Sequence, residues 1–213
     1  QTVSARSCHM TAASGLITPN LEAEAKSPPY IGRFAPSPTG PLHFGSLVAA
    51  LASYLDAKSN FGKWFLRIED LDPPREPEGT AETILDQLQA LGFAWDGEIL
   101  YQSSRLAAYE VALQQLNDIG LCFSCNCTRP RIQALGGVYD GHCRSNRDIA
   151  NRSREYAVRI QTADHCISFD DLIQGEYHQN IRLEFGDFVI KRKDNLFAYQ
   201  LAVVVDDSFQ NIT

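Results

Sequence analysis

Three residues that could handle a phosphate group follow a proline-rich loop: His43, Gly45 and Ser46. Proline fixes the backbone angle φ, so the prolines at positions 36, 38 and 41 hold this loop in one shape. The apolar residues after Ser46 recur at helical spacing and predict a helix, whose first N–H groups and positive dipole end attract an anion. The segment therefore predicts either a nucleotidyl-transfer site, in which His43 donates to a phosphoryl oxygen, or an ordinary helix start after a turn.

Two charged residues lie where predicted strands end. Arg33 lies where an apolar strand predicted at 30–34 meets the proline-rich loop, and Glu69 is the last residue of a second strand predicted at 64–69. Open α/β sheets bind ligands at the carboxyl ends of their strands. There the Arg33 guanidinium can bind a carboxylate through two parallel hydrogen bonds, and the Glu69 carboxylate can receive an ammonium group. Taken alone, each residue is explained as simply by a surface ion pair.

Three of the six cysteines, Cys125, Cys127 and Cys143, are close together in the sequence. The first residues lack a secretory pattern, so metal binding or free thiols are expected rather than disulfides. Structural zinc takes four ligands in tetrahedral geometry, and the three cysteines leave one position open. His142 is the conventional candidate, but its neighbour Cys143 makes joint ligation awkward. The alternative is a set of buried, unbridged thiols.

Composition limits the classes of protein that fit. The chain has 213 residues, 44% of them hydrophobic and 21% charged, which is typical of a globular protein with one or two domains. Its net charge of −7 argues against a simple basic nucleic-acid binder. Seven arginines nevertheless lie between 125 and 159, which predicts either a local RNA-binding face or a solvated surface. No apolar run approaches the roughly 20 residues of a membrane span, so a cytoplasmic location is expected.

The elements that position these residues begin in a strand–helix–strand–helix order. After the strands at 30–34 and 64–69, helical spacing is found at 78–91 with Gly92 as its cap. A third helix is expected from a serine cap at 103 or 104 to Gly120. This order predicts an α/β fold with a parallel sheet and crossover helices.

From residue 121 the pattern changes to short strands and glycine-rich turns. Antiparallel strands are predicted at 156–160, 166–169 and 176–183, and the parallel pattern is expected to resume with 188–190 and 197–205.

The chain therefore divides into four predicted parts. Residues 1–29 are expected to form a mobile N-terminal extension, and 30–100 the first half of a catalytic domain. Residues 101–186 are predicted to be an inserted subdomain, and 187–213 the start of the second half of the catalytic domain.

The run R-F-A-P-S-P-T-G-P-L-H-F-G-S, at 33–46, resembles the first ATP-binding motif of class I glutamyl-tRNA synthetases. It is most similar to that of their short paralogues, the glutamyl-queuosine tRNA(Asp) synthetases. In the paralogues a serine commonly replaces the second histidine of the general motif, as Ser46 does here. Three further segments carry the same resemblance: R-I-E-D-L-D at 67–72, C-x-C with Y-x-x-x-C at 125–143, and F-A-Y-Q-L-A-V-V-V-D-D at 197–207.

The resemblance implies a role for each matching residue. It implies a glutamate site made by Arg33, Phe34, Ala35, Pro36, Ser37, Glu69 and Tyr199. The alternative for Tyr199 is a core aromatic on a helix. It implies an ATP site made by His43, Gly45 and Ser46, with His43 and Ser46 acting in catalysis. It implies a structural zinc held by Cys125, Cys127, Tyr139 and Cys143.

The resemblance also implies a fold and a reaction. The fold is a class I Rossmann-type parallel-sheet catalytic domain interrupted by a small zinc-bearing α+β insertion. The reaction is activation of L-glutamate with ATP and Mg²⁺, independent of tRNA, followed by transfer to queuosine in the anticodon of tRNA(Asp). A monomer with no membrane partner is expected.

Two alternatives remain at this stage. The chain could be a fragment of a conventional glutamyl-tRNA synthetase, against which Ser46 and the Tyr139 pattern argue. It could also be a non-catalytic zinc- or RNA-binding relic of the fold. An arginine expected after V-V-V-D-D and the second ATP loop lie beyond Thr213, so this 213-residue piece is expected to be deficient in adenylate formation.

Overall fold

The computed structural model describes residues 29–146, 149 and 155–213. Apart from Pro29, the predicted N-terminal extension lies outside these residues. Among the helices that are described, none combines the length and apolarity needed to cross a membrane.

A three-stranded parallel sheet forms the first part of the fold, as the sequence predicts. Its strands β1 (Ile31–Phe34), β2 (Lys63–Ile68) and β3 (Leu100–Tyr101) lie in that order, with Ile31 aligned to Lys63. Helix α1 (Phe44–Ser59) connects the first two strands, and α2 (Thr80–Ala90) lies between the next two. The α/β class and its parallel sheet are confirmed.

The sheet is packed tightly against α1, which fixes the loop between them. Trp64, Leu66, Ile84 and Leu88 are completely buried around this contact. Gly32 lies where a Cβ atom would be 3.3 Å from both the Cβ of Ala57 and the carbonyl oxygen of Ser53. A larger residue at this position would push α1 away from β1, so the close approach depends on this glycine.

The rest of the described chain alternates short helices and antiparallel strands. In chain order these are α3 (Leu106–Asp118), β4 (Cys122–Cys125), α4 (Arg129–Ala134), β5 (Ala157–Ile160), β6 (Cys166–Asp171), β7 (Gly175–Asn180), α5 (Ile181–Glu184), β8 (Val189–Lys191) and α6 (Tyr199–Gln210). Strands β4, β5 and β8 form one antiparallel sheet, and β6 pairs with β7 in a separate hairpin.

Three local predictions in this region are wrong. The segment 188–190 does not resume the parallel sheet, because β8 pairs antiparallel with β5. The segment 197–205 lies mostly in α6, whose buried Leu201 and Ala202 share one face with Asp206. The strand predicted at 176–183 ends at Asn180, whose side chain accepts a hydrogen bond from the Leu183 N–H and so caps α5.

A second core joins α3 to α6. Tyr109 and Leu113 of α3 pack with Ile190, Phe197 and Leu201. The buried carboxylate of Asp206 reinforces this contact, because it accepts hydrogen bonds from the side chains of Gln102, Arg105 and Tyr109. These bonds fix the rotation of α6 about its axis. The next residue, Asp207, is thereby directed toward β1 and β2.

Candidate active site and metal centre

The candidate site lies at the carboxyl ends of β1 and β2. The backbone N–H of Glu69 donates to the carbonyl oxygen of Pro36 at 2.9 Å, so the loop after β1 is tied to the end of β2. This bond brings Ser37 and Glu69, which are 32 positions apart in the sequence, to the same edge of the sheet. The arrangement is the one that open α/β sheets use for ligands.

A cavity of about 660 Å³ opens at this edge, and we call it the strand-end cavity. Ser37, Thr39, Glu69 and Tyr199 lie on its wall, so three residues predicted to bind glutamate are brought together. Tyr199 is the first residue of α6, and 64% of its surface is exposed. It is therefore a cavity residue and not a core aromatic.

Arg33 is bound to another residue of the chain. Its Nε and Nη2 atoms each donate to a carboxylate oxygen of Asp207, both at 3.0 Å, and Arg33 is not among the residues that line the strand-end cavity. The fully buried Arg67 also donates to Asp207, at 2.7 Å, and its Nη2 lies 3.5 Å from Glu69 Oε1. These four residues form one charge cluster: Arg33, Arg67, Glu69 and Asp207.

The pKa values in this cluster follow from burial and pairing. Burial raises the pKa of Asp207, but hydrogen bonds from Arg33 and Arg67 outweigh it and hold that pKa below its usual range. Burial has the larger effect at Glu69, whose pKa is raised in spite of the two arginines. Among the residues that the structure describes, the one side-chain bond of the partly desolvated Glu69 carboxylate is the long bond to Arg67, and a cationic ligand in the cavity would stabilise its charged form.

Sequence reasoning missed Asp207 and Arg67 as parts of this cluster. Both were visible in motifs, as the last residue of V-V-V-D-D and the first of R-I-E-D. What the sequence lacked was the phase of α6, which turns Asp206 toward α3 and Asp207 toward β1 and β2.

A second cavity, the helix-start cavity, has a volume of about 580 Å³ and lies beside the first. The residues predicted to bind ATP, His43, Gly45 and Ser46, line it together with the loop after β1. Ser37 and Thr39 belong to the walls of both cavities. The two cavities are therefore adjacent and separated by a short stretch of the loop.

His43 caps α1, which the sequence did not indicate. Its Nδ1 accepts a hydrogen bond from the Ser46 N–H at 3.2 Å, and its Nε2 lies 3.2 Å from the Ser46 hydroxyl. Because Nδ1 accepts, Nε2 carries the proton when the ring is neutral and is the nitrogen that can donate. A Cβ atom at Gly45 would lie 3.1 Å from the His43 ring, so glycine leaves room for the folded-back ring and a larger residue would shift it by a few tenths of an ångström.

The cysteine cluster lies at the end of β4. The sulfur atoms of Cys125, Cys127 and Cys143 are all within 4.8 Å of one another, and those of Cys127 and Cys143 are 3.5 Å apart. The Tyr139 hydroxyl lies 3.6 Å from Cys125 Sγ and accepts a hydrogen bond from the Cys143 N–H at 2.8 Å. His142 is not part of this group.

The donor set fits a four-coordinate zinc ion. With metal–sulfur and metal–oxygen distances of about 2.3 and 2.0 Å, a tetrahedron has edges of about 3.8 Å between sulfurs and about 3.5 Å between sulfur and oxygen. The observed separations of 3.5 and 3.6 Å are close to these edges. Tyr139 is held in place by Gly186, where a Cβ atom would be 2.6 Å from the Tyr139 carbonyl oxygen.

Arg159 adds a positive charge beside this donor set. Its guanidinium carbon lies 4.2 Å from the centre of the Tyr139 ring. Burial raises the pKa of the Cys125 thiol, but its hydrogen bonds with Tyr139 and Arg159 outweigh burial and lower that pKa. Burial raises the pKa of the Tyr139 phenol, and its neighbouring thiols add to this effect. A bound cation would favour both deprotonated forms.

A parallel α/β sheet with cavities at the carboxyl ends of its strands fits a class I catalytic domain. The family model described as tRNA synthetases class I (E and Q), catalytic domain, matches residues 31–213. The chain belongs to this family.

Its relatives carry a narrower name. The chain is 55% identical to the glutamyl-Q tRNA(Asp) synthetase of Escherichia coli O6:H1 over 184 residues, which is 86% of this chain and 59% of that protein. It is 52% identical to the enzyme of the same name from Pseudomonas syringae pv. tomato, over 88% of this chain and 63% of that protein. The chain thus spans about three fifths of the length of these curated relatives.

Solved structures show the same fold. The glutamate-tRNA synthetase of Elizabethkingia anophelis superposes with a TM-score of 0.76 at 28% identity, over 87% of this chain and 43% of that one. The class I synthetase fold with its parallel sheet is thereby confirmed.

Proposed function

We propose that the full-length protein activates L-glutamate with ATP, without tRNA in that step, and transfers the glutamyl group to queuosine in the anticodon of tRNA(Asp). The observation that supports this proposal most is the pair of adjacent cavities that share Ser37 and Thr39. One cavity presents Glu69 and Tyr199, and the other His43 and Ser46. An amino acid in the first and ATP in the second would have their reacting groups side by side.

Glutamate is assigned to the strand-end cavity. The Glu69 carboxylate receives the α-ammonium group, because it is partly desolvated and weakly paired. Tyr199 covers the ligand from the start of α6, and Ser37 lies on the wall that this cavity shares with the helix-start cavity. Phe34, Ala35 and Pro36 line the helix-start cavity and complete the loop beside the ligand. Arg33 is not on the wall of this cavity, but it lies close enough to the wall residue Glu69 for their charges to interact, and it is assigned to a substrate carboxylate. The α-carboxylate is thereby turned toward the helix-start cavity.

ATP is assigned to the helix-start cavity, with Mg²⁺ supplied together with the nucleotide. A glutamate carboxylate oxygen attacks the α-phosphorus, and pyrophosphate leaves. The N-terminus of α1 and the His43 Nε2–H stabilise negative charge on the α-phosphate, and the Ser46 hydroxyl adds a further donor. Catalysis rests mainly on holding the two reactants in line.

Zinc is assigned to Cys125, Cys127, Tyr139 and Cys143 as a structural ion. When bound, it would supply the cross-link that holds the end of β4 to the segment around Tyr139. The division into a catalytic half at 30–100, a zinc-bearing insertion at 101–186 and a second half from 187 stays a prediction. The monomeric state and the cytoplasmic location, where ATP and tRNA are found, are part of the same proposal.

The test is glutamylation by the full-length protein of tRNA(Asp) with and without queuosine. We expect glutamate to be transferred only to the queuosine-containing tRNA, in a form that survives removal of the tRNA 3′ end. Charging at the 3′ end of tRNA(Glu) would instead support a conventional glutamyl-tRNA synthetase. The fold that this chain shares with the Elizabethkingia enzyme also fits that alternative. Absence of both reactions would support a non-catalytic relic.

A further inference from the structure

Asp207 holds the arginine that is assigned to bind a substrate carboxylate. A guanidinium has two edges that can bind a carboxylate through two hydrogen bonds, the Nε–Nη2 edge and the Nη1–Nη2 edge. Asp207 occupies the Nε–Nη2 edge of Arg33 with two bonds of 3.0 Å. Within the described residues, no partner bonds Nη1, so the second edge stays available to a ligand.

Asp207 is itself held firmly. Its Oδ1 accepts a bond of 2.7 Å from Nη1 of Arg67, and the same nitrogen donates to Gln210 Oε1 at 3.0 Å. The Arg67 side chain is completely buried. A carboxylate fixed between a buried arginine and Arg33 would leave two charges unpaired if it moved, which is strongly unfavourable. Asp207 therefore stays in place when a ligand binds.

Asp207 also determines how strongly Arg67 pairs with Glu69. With Asp207 as its close partner, Arg67 makes only a long contact of 3.5 Å to Glu69. Without that partner, the buried Arg67 charge would turn to the next carboxylate, and that carboxylate is Glu69. The Glu69 charge would then be used within the protein and no longer be free for a substrate ammonium group.

We propose that Asp207 is a positioning residue for glutamate binding: it presents the free edge of Arg33 to one substrate carboxylate and keeps Glu69 available to the ammonium group. Asp207 touches neither the substrate nor the reacting atoms. This inference rests on the proposed function, since it assigns glutamate to the strand-end cavity. Asp207 is not a competitor that glutamate must displace from Arg33, because Arg67 holds Asp207 in place.

The experiment is glutamate-dependent ATP–pyrophosphate exchange by the full-length protein and three variants. Asp207→Asn keeps the shape of the side chain and removes its charge. We expect it to raise the KM for glutamate about 10- to 100-fold, the range for lost charge-assisted hydrogen bonds, and to leave the KM for ATP within about twofold. Asp207→Glu restores the charge and is expected to recover part of the loss.

Asp206→Asn is the matched control. Asp206 is the neighbouring carboxylate, but it bonds Gln102, Arg105 and Tyr109 and faces away from the charge cluster. It is expected to lower the melting temperature while the KM for glutamate is unchanged. A purely structural role of Asp207 would give this same pattern.

Three outcomes overturn the inference. An unchanged KM for glutamate in Asp207→Asn would show that Arg33 needs no positioning. A lowered KM would show that Asp207 competes with the substrate. Absence of exchange in the unmodified full-length protein would overturn the proposed function and this inference with it. The first two outcomes differ from this one, because in them the unmodified protein does catalyse exchange and only the role of Asp207 is refuted.

Discussion

Replacing Tyr139 with phenylalanine removes a single oxygen atom from the cysteine cluster. That oxygen accepts the Cys143 N–H at 2.8 Å and lies 3.6 Å from Cys125 Sγ. The side chain is buried, and its ring packs on Phe123 and under Arg159, so the ring itself is expected to stay in place. The substitution therefore tests whether the phenol oxygen is a zinc ligand.

The expected magnitude has two parts. Without zinc, the Cys143 N–H is left buried and unpaired, which costs about 1–3 kcal/mol of unfolding free energy. With zinc, one of four ligands is lost. Even outer-shell substitutions weaken metal binding by about 10- to 100-fold, so we expect at least 100-fold here. At saturating zinc a 100-fold loss of affinity removes about 2.7 kcal/mol more.

Chelator competition measures the zinc affinity, and urea unfolding with and without zinc separates the two parts. Tyr177→Phe is the control, because Tyr177 is exposed in the β6–β7 hairpin and its hydroxyl accepts a bond of 3.3 Å from Gln179, far from the cysteine cluster in the sequence. We expect Tyr177→Phe to leave both the zinc affinity and the unfolding free energy unchanged. If Tyr139→Phe retained one zinc ion with unchanged affinity, Tyr139 would not be a ligand and the assignment would be wrong.

Further substitutions test other contacts. Gly45→Ala places a Cβ atom 3.1 Å from the His43 ring, so the ring must shift by a few tenths of an ångström. We expect this shift to weaken the cap of α1 and to lower adenylate formation, as pyrophosphate exchange measures. Asp187 is buried, and its carboxylate accepts hydrogen bonds from Arg144 and from the Thr162 N–H. Asp187→Asn is therefore expected to lower the unfolding free energy by about 3–5 kcal/mol at pH 7, measured by urea unfolding. Burial raises the pKa of Asp187, but its hydrogen bonds outweigh burial and lower that pKa overall. The ionised Asp187 therefore stabilises the fold fully above its unfolded pKa. The difference in unfolding free energy between the unmodified protein and Asp187→Asn shrinks as pH falls through the native pKa of Asp187. Arg159→Gln is expected to weaken zinc retention, measured by chelator competition, because a charge 4.2 Å from the Tyr139 ring is lost.

The sequence predicts the parallel part of the fold well, because local patterns determine it. The strands at β1 and β2 and the helix ends at Gly92 and Gly120 follow from apolar periodicity and from glycines that adopt φ angles of 84° and 75°. The expected serine cap of α3 is wrong. Ser103 bonds Asp70, and a 3-10 turn precedes the helix at Leu106.

Strand pairing after residue 121 could not be predicted, because short strands carry no information about their partners. Nothing local to β8 indicates that it pairs with β5 across a segment of about 30 residues.

The candidate site was predictable where a motif lies within one loop or one strand end. His43, Ser46, Ser37 and Glu69 are examples, and the structure places them on two adjacent cavities. The partner of Arg33 was not predictable, because Asp207 is 174 positions away and only the packing of α6 brings it there.

Pyrophosphate exchange by the full-length protein, with glutamate and ATP and without tRNA, tests the central claim most directly. The two cavities predict glutamate-dependent exchange that Glu69→Gln abolishes, because its carboxylate is assigned to the substrate ammonium group. No exchange at saturating ATP and glutamate, or exchange that Glu69→Gln leaves unchanged, would contradict the account.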